Sequence, residues 1–243
     1  VRNGGKGGLV GGFHHTFSLA PALPLLIFGL IVVLVIVAAI FGHMQEKKRR
    51  EQLLAIARRL GLGFRERDDA MDQRYHFLDA LQQGENRYAL NVLEGQYRGC
   101  AVQAFDYHYE THSQDSKGRR ETHHHYLNCY ILDQEQAFPE LRIYPETLFS
   151  RLGQMMGYDD IDFESAEFSR AFTVRSKDKR FAYDICNARM MEYLLQHRDL
   201  TIEIENHSVA TCFDGRMEPR GVEANLDRLV EIRGMFPEYL YRT

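Results

Sequence analysis

Residues 23–41 contain no charged, amide or hydroxyl side chain. A helix over these nineteen residues, at about 1.5 Å each, is roughly 28 Å long and matches the hydrocarbon core of a bilayer. Fifteen of the nineteen are Leu, Ile, Val or Phe, and each contributes about −0.3 to −0.6 kcal/mol near the centre of a membrane helix. A helix apolar on every side has no wet face for water. Pro21 and Pro24 suit a first turn, where the N–H that proline lacks has no helical partner. A secretory signal carries its basic residues before a shorter run and a small-residue cleavage site after it. Here the basic cluster Lys47-Lys48-Arg49-Arg50 comes after the run. The reading is a single transmembrane helix at residues 23–42.

The charges divide along the same line. Residues 1–44 carry only Arg2 and Lys6, so the other 28 Lys and Arg and all 34 Asp and Glu fall in residues 45–243, leaving −6 there. A nucleic-acid partner is excluded on that balance, because phosphate binding needs a basic surface. By the positive-inside rule the basic run stays in the cytoplasm and the N-terminus lies outside. The same four residues, Lys47, Lys48, Arg49 and Arg50, are the candidate membrane-surface site, since each such charge adds about 1 kcal/mol near an anionic leaflet. Six of the first twelve residues are glycine, so residues 1–22 read as a coil-like, non-cytoplasmic tail.

Beyond the anchor, residues 43–62 read as a basic juxtamembrane helix and residues 63–243 as one α+β domain. Leu53, Leu54, Ala57 and Leu60 recur at helical spacing, and Gly61 is the natural stop. No proline or glycine follows Gly42 before Leu60, which predicts one unbroken helix from about Pro24 to about Arg59. A second helix is expected over 72–83. Strands are expected over 88–93, 100–109 and 123–132, as an antiparallel meander turning at 95–99 and 113–120. A short strand at 141–144, a helix at 145–156, a strand at 168–174 and a helix at 178–197 follow. A hairpin of 200–205 and 208–213 turning at Asn206 precedes a closing helix at 218–235. Strands joined mostly by short turns point to an antiparallel sheet with flanking helices.

Catalytic signatures are missing. The sequence has no phosphate loop, no dinucleotide fingerprint, no nucleophile elbow and no His-Glu-x-x-His, and no cofactor is expected. Cys100, Cys129, Cys186 and Cys212 lie far apart, and in a reducing cytoplasm they read as free thiols packed as small hydrophobes. The local anomaly is histidine. His108, His112 and the triplet His123, His124 and His125 flank the 113–120 turn. Imidazoles with Glu110 nearby are candidate ligands for Zn²⁺, Cu²⁺ or Ni²⁺. Neighbouring strand residues point to opposite faces, however, so the triplet cannot converge on one ion. A solvated hairpin tip is the simpler reading. Tyr97, Tyr107, Tyr109, Tyr126, Tyr130, Phe105 and Phe138 read as a sheet face or a protein contact.

Two stretches carry a resemblance. Phe105-Asp106-Tyr107-His108-Tyr109, with its polar turn and Thr122-His123, is one. The run at residues 160–174 is the other. Together, over about residues 85–240, they resemble a widespread group of bacterial membrane-anchored proteins that carry a domain of unknown function. The resemblance implies membrane association and a fold, and no catalytic residue. In topology alone, the helix-then-domain order is similar to the H subunit of purple-bacterial reaction centres. The expectation is a non-enzymatic, single-pass accessory or scaffolding subunit of the bacterial inner membrane. Its partners are the bilayer and a larger integral-membrane assembly, for instance a photosynthetic or respiratory one. Two alternatives stand beside it: a metal-dependent hydrolase using the histidine hairpin with Glu110 or Asp106 as base, and a sensor of anionic lipid.

Overall fold

The structure, a computed structural model, describes residues 23–114, 118–147 and 161–242. The glycine-rich tail and most of the helix expected over 145–156 lie outside the described residues. The chain divides into one unit ending at Lys48 and a second, Arg49–Thr243.

Helix α1 runs Leu23–Leu60. It is long and apolar enough to cross a membrane. From Ile27 to Phe41 its large apolar side chains are 39–67 % exposed among the described residues. The helix stops as its sequence requires. Gly61 adopts φ +72°, its N–H reaches the Arg58 carbonyl at 3.3 Å, and the Leu62 N–H reaches that of Ala57 at 2.8 Å. This is the paired-bond Schellman ending, which needs a left-handed residue that glycine supplies without strain.

The domain is α+β, with six antiparallel strands among the described residues: β1 (Gly63–Asp68), β2 (Glu85–Tyr97), β3 (Cys100–Gln114), β4 (Arg120–Pro145), β5 (Phe172–Arg175) and β6 (Ile202–Asp214). Strands β1 to β4 form the meander. The first half of β4 lies between β3 and β6, and its end between β5 and β6. Tyr97 pairs with Cys100 across Arg98 (φ +49°) and Gly99 (φ +79°). Two positive-φ residues in a two-residue loop match the twist of the flanking strands.

Each face of the sheet has its own apolar layer. On one, Val102, Ala104, Tyr130 and Leu132 pack with Leu53 and Ala57 of α1 and with Leu226 and Leu229 of a closing helix, Val222–Arg233. On the other, Phe105, Tyr107, Leu127 and Ile131 are covered by Met71, Tyr75, Leu78 and Leu81. Phe105, Tyr107, Tyr109, Tyr130, Tyr97 and Phe138 are all buried, so these aromatics build the core and not a contact surface.

Several elements differ from the sequence reading. Strand β1 was not expected. The helix expected over 72–83 is a single α-turn, Met71–Arg74, and a 3-10 turn, Asp79–Leu81; between them the Leu78 N–H closes a tighter turn on the Tyr75 carbonyl and the Arg142 side chain takes the Phe77 carbonyl. The strand expected over 168–174 begins as a helix, Ala166–Ala171, capped by the Ser165 hydroxyl, which accepts from the Phe168 N–H. The helix over 178–197 is two helices, Lys179–Ile185 and Ala188–Gln196. Asn187 restarts the second by accepting from the Met190 N–H. The hairpin at Asn206 is absent: β6 is one strand along β4, and Asn206 (φ +53°) faces Phe138 at an irregularity in register. Finally, Cys129 and Cys212, directly opposite on β4 and β6 with Cα atoms 4.2 Å apart, form a disulfide. Only Cys100 and Cys186 are free. The separation of 83 residues between Cys129 and Cys212 hid a pairing that the strand register creates.

Candidate functional site

The β3–β4 register decides which histidines meet. Glu110 lies opposite His124, Tyr109 opposite His125, Thr111 opposite His123 and His112 opposite Thr122. Side chains alternate between faces, so His108, Glu110 and His124 share one face while His123 and His125 lie on the other. His125 stacks on Tyr109 at 4.8 Å and meets the Thr111 hydroxyl at 2.7 Å. His123 meets the Ser113 hydroxyl at 2.8 Å. His112 approaches Glu85 at 3.5 Å, farther along the hairpin.

The three that converge are closely spaced. His108 Nε2 lies 3.1 Å from His124 Nδ1 and 4.0 Å from Glu110 Oε1, and His124 Nδ1 lies 3.3 Å from Glu110 Oε1. The His108 ring is buried between Tyr88, stacked at 4.4 Å, and Tyr126, tilted at 5.1 Å. Burial holds its pKa below the ordinary 6.5, because desolvation disfavours the charged ring. Arg67 lies over the Tyr88 ring and Arg216 over the Tyr126 ring.

Along the same face, Asp106 is 1 % exposed. Its Oδ2 accepts from Arg49 at 2.8 Å and from Asn91 Nδ2 at 2.8 Å, and its Oδ1 accepts from the Met217 N–H at 2.6 Å. Arg49 also donates to the Met217 carbonyl at 3.1 Å. Asp106 is thus bound on both oxygens, and Arg49 turns its guanidinium to it and to the Met217 carbonyl. Arg50 meets Glu66 at 3.0 Å in the open, and Lys47 and Lys48 are exposed.

A second buried ionic group was not foreseen. Arg142 is 3 % exposed. It donates to Asp79 Oδ2 at 3.0 Å, Glu205 Oε2 at 2.9 Å and the Phe77 carbonyl at 2.7 Å. Glu203 accepts from the backbone N–H groups of Asp79 and Ala80 at 2.7 and 3.2 Å. Its one visible signal is a lone arginine within the apolar Leu141-Arg142-Ile143-Tyr144 stretch. Glu203 also borders a cavity of about 680 Å³ lined by Tyr109, Leu127, Tyr144, Cys212 and Phe213. Burial pushes its carboxyl up to about 7, opposed by Arg142.

The folded state therefore holds this proton more firmly than the unfolded chain does. Its contribution to stability is complete below pH 4.5, the group's ordinary pKa, and is lost as pH rises through about 7. Relative to Glu203→Gln, which cannot titrate, wild type should lose up to about 3 kcal/mol between pH 5 and 8. Parallel melting-temperature curves for the two proteins over that range would refute this.

No protein-family model matches the chain, and no curated protein matches it in sequence. The resemblance drawn over residues 85–240 thus gains no support from a family model. Among solved structures, the crystal structure of the mycobacterial trehalose monomycolate transport factor A, TtfA, is similar with a TM-score of 0.54 at 13 % identity, covering 78 % of this chain and 95 % of that one. The two proteins share a fold.

Proposed function

We propose that this chain is a single-pass, non-enzymatic accessory subunit of an integral-membrane transport assembly. The observation that carries it is the fold shared with a transport factor over nearly the whole of that protein, joined here to a helix able to span a bilayer. That likeness favours transport over the photosynthetic or respiratory assembly considered from sequence. The missing catalytic signatures and the commitment of Asp106 to structural bonds support a binding role. The anchor raises the effective concentration of the domain for partners in the same membrane. The basic run favours a cytoplasmic domain in a bacterial inner membrane, with Lys47 and Lys48 supplying charge at the lipid surface.

The test is mild detergent extraction of native membranes followed by native electrophoresis and mass spectrometry of the band holding this chain. The expected result is co-migration with a multi-span transporter, whose abundance falls when the chain is deleted. A chain that migrates alone as a monomer, with transporter levels unchanged on deletion, refutes the proposal.

A further inference from the structure

We infer that His108, Glu110 and His124 form a binding site for a single divalent transition-metal ion of the Zn²⁺ class. Two observations carry it. The first is spacing. Donor atoms around a tetrahedral ion bound at about 2.0–2.1 Å lie roughly 3.3 Å apart. The three separations here are 3.1, 3.3 and 4.0 Å, each within a small side-chain adjustment of that value. The strand pairing produces this triangle: Glu110 and His124 are a directly opposed pair, and His108 stands two residues away on the same face.

The second observation is the supporting contact. His108 Nδ1 lies 3.2 Å from the Asn86 carbonyl oxygen. A carbonyl only accepts, so Nδ1 carries the ring proton and the neutral ring turns its Nε2 lone pair toward Glu110 and His124. A ligating histidine whose other nitrogen donates to a backbone carbonyl is the arrangement metal sites use to fix tautomer and ring orientation. Asn86 serves both sides, since its Nδ2 donates to Glu110 Oε1 at 2.8 Å. Its backbone is left-handed (φ +50°), a conformation asparagine tolerates better than most residues. Stacking on Tyr88 locks the His108 ring further.

Two imidazoles and one carboxylate are a zinc-type donor set that leaves a fourth position for water or a partner's side chain. His124 is 58 % exposed, which places that position on the solvent side. The inference is independent of the transport reading, since a subunit can hold such an ion in any assembly.

The test uses the full chain in detergent, stripped with a chelator and then titrated with Zn²⁺ by calorimetry, with Co²⁺ spectra to report coordination. One ion per chain and visible Co²⁺ bands of a four-coordinate centre are expected. His124→Ala and Glu110→Ala sit at the rim and leave the core intact. Each should weaken binding by at least the roughly ten- to hundredfold that losing a mere supporting contact costs. His123→Ala and His125→Ala, on the opposite face, should leave it unchanged. Absence of stoichiometric binding overturns the inference. So does equal weakening by both pairs, which would mark a generic histidine-rich surface.

Discussion

Arg142→Ala is expected to destabilise the domain by about 3–5 kcal/mol, the cost of removing one partner from a buried ion pair. Against an ordinary stability of about 5–15 kcal/mol, this is enough to unfold a sizeable fraction of molecules at growth temperature. The arginine pairs with Asp79 and Glu205, which it contacts directly, and faces Glu203 and Glu140, each at 3.6 Å. Without it, Asp79, Glu140 and Glu205, each 20–26 % exposed, and the buried Glu203 face one another with no opposing charge from the arginine. The loss should be local before it is global. The 3-10 turn Asp79–Leu81 is tied to the sheet through Arg142 and through the Asp79 and Ala80 N–H groups on Glu203. Hydrogen exchange should therefore rise first over residues 77–84. Wild-type protection there in a folded Arg142→Ala protein would show that the apolar layer alone holds the turn. Adding Glu203→Gln to Arg142→Ala should recover part of the stability, because it removes the most deeply buried of the acidic groups left without the arginine.

Asp106→Ala should cost a comparable 3–5 kcal/mol. One carboxylate accepts from Arg49 of α1, Asn91 of β2 and the backbone after β6, so alanine takes this acceptor from the buried Asn91 amide and the Met217 N–H and removes one of the partners of the part-buried Arg49. Urea midpoints of the full chain in detergent give the measurement. Arg49→Leu alone should cost less, and the double variant less than the sum of the two, since both single changes break the same bond. Strict additivity would mean that Arg49 and Asp106 act separately and that the knot described here does not join α1 to the sheet energetically.

The legible parts of the chain were those whose signal is local. Gly61 marks the end of α1 within a residue, because a left-handed stop is encoded at a single position. The meander was legible from alternation. β1 was not, because Gly-Phe-Arg-Glu-Arg-Asp pairs through its backbone at the sheet edge while Arg65 reaches Glu94 and Arg67 lies over Tyr88. A charged edge strand avoids pairing with other chains and so lacks an apolar signature. Asn206 reads as a turn from its residue type, yet long pairing with β4 absorbs its positive φ as an irregularity within one strand. Of the histidine candidates, alternation separates His124 from its two neighbours, but choosing His108 and Glu110 over His112 needs the exact register. The Arg142 group joins Asp79 to Glu203 across 124 positions and the Asp106 group joins Arg49 to Met217 across 168, separations that no local pattern spans.

The pairing of Cys129 with Cys212 makes the fold a label of its own compartment. Cytosolic reductants keep such thiols apart, whereas an extracytoplasmic space joins them. The bond and a cytoplasmic address for the domain therefore describe two redox states of one sheet. Ladder pairs run on both sides of the cysteines, from Leu127 with Asp214 to Asp133 with Ser208, so neither state needs a change of register. The chain has four cysteines, two of them outside the bond. Molecules denatured straight from intact cells would take up four alkyl labels if the domain faces the reducing side and two if it faces the oxidising one. The sheet thereby records, in the chemistry of one strand pair, the side of the membrane on which it folded.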